Sequence, residues 1–147
     1  MTTFRLKIDG ACAQPAELSW EEIDALARGG ALVVDTAALS PKVSGQGVTL
    51  EAILDRVEPT AAATHVMLYD NGEYRACLTM DEARRSAVLA HRDAGAPLSD
   101  AQGGPVRLLV PTSENLCMSV KRVTRIELLT RAAPDTVPRP TTTLRNK

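Results

Sequence analysis

Phe4, Leu6 and Ile8 alternate with polar residues and run into Asp9-Gly10, a period of two that predicts a first strand entering a turn. Ser19-Trp-Glu-Glu22 has capping-box spacing, and Ile23, Leu26 and Ala27 then share one face up to Gly29-Gly30, predicting a short helix over about residues 20–28. A brief apolar strand, 31–34, runs into Asp35-Thr36 and a Pro/Ser/Gly loop over 40–47. Leu50, Ile53, Leu54 and Val57 share a second helical face between Thr49 as N-cap and Pro59 as stop. Residues 65–69 and 74–78 flank Asn71-Gly72 and predict a hairpin with a type I′ turn. Thr79 and Glu82 form another capping box, opening a third short helix. Strands at 88–91 and 106–110, a turn at 94–97 and a last alternating strand at 120–129 follow. From Arg131 the composition shifts to Pro, Thr and Arg without apolar period, so the expected organisation is one domain over 1–130 and a flexible tail over 131–147. Short strands interleaved with three short helices indicate an α+β fold with a mixed or largely antiparallel sheet.

Composition removes several function classes. The 147 residues suffice for one core without staples. Seventeen Lys and Arg against 18 Asp and Glu, scattered, argue against nucleic acid or a membrane surface as partner. Phe4, Trp20, Tyr69 and Tyr74 are the aromatics, too few for a base-stacking platform. Cys12, Cys77 and Cys117 form no CxxC pair and fit free thiols in a reducing compartment. MTTFRLKIDG places charges where a signal peptide is apolar, and no run approaches a membrane span, so the chain as written is expected in the cytoplasm, or in the periplasm if a signal peptide was removed. There is no GxGxxG, P-loop or GxSxG.

Among polar groups, His65 and His91 lack helical-spaced partners and read as structural or surface residues, so no metal site is expected from them. Cys77 and Cys117 read as small buried hydrophobes, and Glu73, Asp81 and Glu82 as turn and cap residues. The exception is Arg107, a permanent cation inside Val106 to Val110. A buried unpaired guanidinium costs several kcal/mol, so Arg107 calls for an anion. Ser119, Lys121, Val123 and Arg125 would share one face of the last strand, so Ser119 and Lys121 can join Arg107 in holding a phosphate-like group. Internal pairing of these cations with Glu114, Glu127 or Asp100 is the competing reading.

These segments, in order over about residues 4 to 129, resemble the molybdopterin-binding domain of the sulfite oxidase family. The resemblance rests on Leu6-Lys-Ile-Asp-Gly10, Gly47-Val-Thr-Leu-Glu-Ala-Ile-Leu54, Gly72-Glu-Tyr74, Val88 to Leu98, Gly103-Gly-Pro-Val-Arg-Leu-Leu-Val-Pro111 and Ser119-Val-Lys121 with Arg125-Ile-Glu-Leu128. It implies a molybdopterin-binding fold in which Arg107 and Lys121, with Ser119 beside them, face the cofactor.

The same resemblance exposes departures. Family enzymes ligate molybdenum through a cysteine about a dozen residues before the G-V-x-L segment, where this chain has Asp35, a harder ligand than thiolate. They often carry a histidine before the Gly-Gly pair, where this chain has Gln102, and a glycine-aromatic segment where this chain reads Glu114-Asn-Leu-Cys-Met118. The expectation is a domain that keeps the fold, performs no molybdenum redox catalysis, and serves as a binding or interaction module with a residual anion or pterin pocket around Arg107, Ser119, Lys121, Gln102 and Asp35, or as a scaffold for a protein partner; the resemblance allows molybdopterin as cofactor, and none bound is the expectation. The alternative is a molybdopterin-dependent oxidoreductase with an atypical ligand set.

Overall fold

A computed structural model describes residues 4–33, 45–70, 72, 74–93, 95–111 and 117–134, with the backbone alone at 31–33, 111 and 117–119. The predicted first strand is β1, Leu6–Gly10, joined to a three-residue β2, Ala16–Leu18. Helix α1, Trp20–Leu26, starts on a complete Ser19/Glu22 capping box and unwinds through a wide turn, Ala27–Ala31, where Gly30 takes φ 124°. After β3, Leu32–Val33, the chain returns as β4, Gln46–Thr49, and continues directly into α2, Leu50–Val57. Strands β5, His65–Tyr69, and β6, Arg75–Thr79, form the expected hairpin, and α3, Met80–Arg85, follows on its Thr79/Glu82 capping box. Then come β7, Val88–Arg92, a 3₁₀ turn at Asp100–Gln102, β8, Arg107–Pro111, β9, Cys117–Val120, and β10, Arg125–Leu129.

The strands make two five-stranded sheets, ordered β2-β1-β10-β5-β6 and β3-β4-β7-β8-β9. Strand β1 lies parallel to β10, and the other pairings among the described strands are antiparallel. This is the mixed, largely antiparallel α+β architecture read from the pattern. One core joins the sheets: Leu6, Ile8, Leu68 and Ile126 from the first meet Val48, Leu89, Leu108 and Val120 from the second, with Ile53 and Leu54 of α2 between. A smaller apolar cluster, Ala90, Leu98 and Leu109, covers the opposite face of the second sheet.

Three expectations need correction. The loop expected over 40–47 is already strand at Gln46, because Gly47 lets β4 press against β7; a Cβ there would sit 2.7 Å from the Leu89 carbonyl oxygen. Asp70 N–H donates to the Tyr74 carbonyl at 3.1 Å and the Asp70 carboxylate accepts from Gly72 N–H, so the strands pair as far as Asp70 and Tyr74, with three residues between them rather than the expected two, and Asn71 of the expected turn lies outside the described residues. The single last strand expected over 120–129 is two strands in different sheets. Arg122 adopts φ 53°, and Val123 N–H then donates to Val106 while Thr124 N–H donates to Tyr69, carrying the chain from one sheet to the other. Ser119, Lys121 and Arg125 therefore do not share a strand face. After β10 the chain turns back, and Pro134 accepts from Arg75 Nε of β6 at 3.2 Å. Among the described residues, no helix is long and apolar enough to cross a membrane.

Candidate functional site

Alternation answers why an arginine stands in an apolar strand. Leu108 and Val110 of β8 face the shared core, whereas Leu109 belongs to the outer cluster with Ala90 and Leu98. Arg107, at the strand's start, alternates with Leu108 onto that outer face and is half-buried. Its Nη1 donates to the Gln102 carbonyl at 3.1 Å.

The acceptor is positioned by a tightly bonded loop. Ser99 and Gln102 form a capping box around the 3₁₀ turn, and Gly103 closes it at φ 86°. Gly104 N–H donates back to Ser99 at 2.8 Å, and Arg122 N–H donates to the Gly103 carbonyl at 2.8 Å. The last bond draws the crossover after β9 against this loop and brings Lys121 beside Arg107. A Cβ on Gly103 would lie 2.8 Å from Lys121 Cγ and 3.0 Å from Arg107 Cδ, so the two cationic stems converge over a bare glycine. Lys121 is exposed and makes no ion pair with the described residues.

Gln102, expected at the site, is there through its carbonyl. Its side chain is used inside the loop: Oε1 accepts from Ser99 N–H at 2.9 Å, and Nε2 donates to Asp93 Oδ2 at 2.7 Å. Ser119 pairs in register with Leu109, two positions along β8 from Arg107, and its side chain is outside the described residues, as are Asp35 and Glu114. Two of the anticipated internal pairs form: Arg122 lies 3.7 Å from Asp100, and Arg125 lies 3.6 Å from Glu127 while its guanidinium engages both Asp9 oxygens at 3.2 Å. Arg125 thus belongs to the first sheet's outer face, away from Arg107.

The opposite face of β7 holds a polar cluster that no local pattern announced. Register slips between Gln46 and Gly47, which pair with Arg92 and Ala90, so His91 is the extra residue of a bulge. It is fully buried and its Nε2 meets Asp24 Oδ1 of α1 at 2.9 Å. Arg92 Nη1 donates to both Asp24 oxygens at 3.1 Å, and Arg28 Nε donates to Oδ2 at 2.9 Å. Trp20 closes the group, its indole N–H donating to the His91 carbonyl at 2.6 Å. Burial opposes ionisation of Asp24, yet His91, Arg92 and Arg28 outweigh it and hold the carboxyl below its ordinary value. Burial pushes the His91 imidazole below its ordinary value against the pull of Asp24. A neutral ring facing an ionised carboxylate donates from Nε2, which leaves Nδ1 as a buried lone pair that bonds no atom of the described residues. Of the structural or surface position expected for His91, the structure shows the buried one, with a partner 67 residues away.

The oxidoreductase molybdopterin binding domain family matches residues 1–137, and the chain belongs to that family. Its fold is similar to the crystal structure of the sulfane dehydrogenase SoxCD from Paracoccus pantotrophus, at TM-score 0.62 and 18% identity over 87% of this chain. The chain spans 38% of the length of that chain. Around Gly103, which carries no side chain, the aliphatic stems of Arg107 and Lys121 pack closely and bring a guanidinium-bearing and an ammonium-bearing side chain to one loop.

Proposed function

We propose that this domain is a binding module that holds a phosphate-bearing small molecule between Arg107 and Lys121 and performs no molybdenum redox turnover. The observation that carries the reading is the convergence of the two cationic stems over Gly103. Arg107 supplies a directional fork and Lys121 a compact point charge, the complementary pair for a phosphate. Ser119, by its place in the S-V-K segment, adds a hydroxyl donor. When bound, molybdopterin supplies the dithiolene for molybdenum redox chemistry, and Asp35 stands where the family's resemblance requires the thiolate that completes that centre. The competing reading, a molybdopterin-dependent oxidoreductase with an atypical ligand set, draws its support from the family match over residues 1–137.

Calorimetric titration with inorganic pyrophosphate tests the binding step. Losing one charge-assisted contact costs about 1.5–3 kcal/mol, so Arg107→Met and Lys121→Met are each expected to weaken binding about ten- to hundredfold. Equal affinity of wild type and Arg107→Met refutes the site.

A further inference from the structure

The amide of Gln102 has only one orientation that satisfies both its neighbours. Ser99 N–H has a proton and no lone pair, so it must meet Oε1; a carboxylate of Asp93 has lone pairs and no proton, so it must meet Nε2. The side chain is thus a directed strut from β7's end to the capped turn, and the carbonyl of the same residue receives Arg107. Asp93 is itself fixed, its backbone exchanging hydrogen bonds with Ala96 at 2.8 and 3.1 Å across a turn in which Gly95 takes φ 82°.

We infer that Gln102 is a positioning residue of the anion site, aiming the Arg107 guanidinium through a carbonyl that the Asp93 strut holds in place. The inference rests on the reading of Arg107 and Lys121 as an anion site and adds what sets their geometry. An arginine fork gains its advantage over a lysine only when its plane is fixed, so a loosened carbonyl weakens binding without removing any cation.

The experiment is a pyrophosphate titration of the whole chain at about neutral pH, with four variants. Gln102→Glu sets a second carboxylate against Asp93, and the mutual repulsion is expected to cost about tenfold in affinity. Asp93→Asn combined with Gln102→Glu reverses donor and acceptor at unchanged net charge, and affinity is expected to return to within about threefold of wild type. Asp93→Ala leaves the capping box intact and keeps the test open should Gln102→Glu fail to fold; a loss of about threefold or more is expected. If Gln102→Glu and Asp93→Ala bind as wild type does, or the double variant stays as weak as Gln102→Glu, the strut has no positioning role. Arg107→Met separates the two ideas: if wild type binds and Arg107→Met does not while every strut variant is unaffected, the anion site stands and this inference falls. If Arg107→Met binds as tightly as wild type, both fall.

Discussion

Acidification is expected to weaken the fold through His91. The ring is fully buried and burial holds it below the ordinary value of 6.5, so the folded protein keeps it neutral where the unfolded chain takes up a proton. As pH falls through 6.5, the unfolded state binds more protons than the folded one and stability drops. Each pH step in that window costs at most about 1.4 kcal/mol for one differential proton. Asp24 acts in the same direction at lower pH, because a carboxyl held below its ordinary 3.8 contributes stability that is lost as pH falls through that region. The charges around the ring are Asp24 and Arg28 from the α1 end and Arg92 on β7, so a proton on Nδ1 adds a third cation against one carboxylate. Urea unfolding followed by circular dichroism at about pH 7.5, 6.5 and 5.5 reads the effect, with His91→Phe as reference, since that variant removes the differential proton. The wild-type midpoint should fall over this range and the variant's should fall less. Parallel curves for the two proteins refute the assignment of a buried neutral imidazole.

Further consequences follow from the same contacts. Asp24→Ala leaves His91 and Arg92 without their carboxylate and should cost about 3 kcal/mol by urea unfolding at neutral pH, with Arg28 adding little because it is largely exposed. Gly103→Ala places a Cβ 2.8 Å from Lys121 Cγ on a residue at φ 86°, and should cost about 1–2 kcal/mol and weaken pyrophosphate binding in calorimetry. Tyr69→Phe removes the 2.6 Å hydrogen bond to Glu127 across β5 and β10, with an expected loss of about 1 kcal/mol in the same unfolding assay and no change in anion affinity.

Elements with a local cause were legible in the chain. The capping boxes at Ser19 and Thr79 start helices where a hydroxyl and a carboxylate three residues apart satisfy each other's backbone, and α2 follows its apolar face from Leu50 to Val57. Elements with a nonlocal cause were not. Gln46 and Gly47 read as the end of a loop because strand β4 exists only through pairing with β3 and β7. The stretch from Val120 to Leu129 reads as one strand only if the three-residue step from Val120 to Val123 is passed over, and the break at Arg122 is fixed by its bonds to Gly103 and Asp100 in a distant loop. Arg107 and Lys121 were recognisable as candidates, but their meeting over Gly103 requires that same crossover. Gln102 was identified for its place beside the site, and its strut to Asp93 emerged only when the turn at 93–96 was folded. Asp24 carried no signal, since His91 and Arg92 reach it from 67 and 68 residues away.

The central claim, a molybdopterin-family fold that holds an anion without redox turnover, is tested most directly by the molybdenum content of this chain purified from a host that makes molybdopterin. Molybdenum far below one atom per chain is expected, in protein that still binds pyrophosphate through Arg107 and Lys121. Molybdenum at one atom per chain, retained through purification, would contradict it and establish the oxidoreductase reading instead.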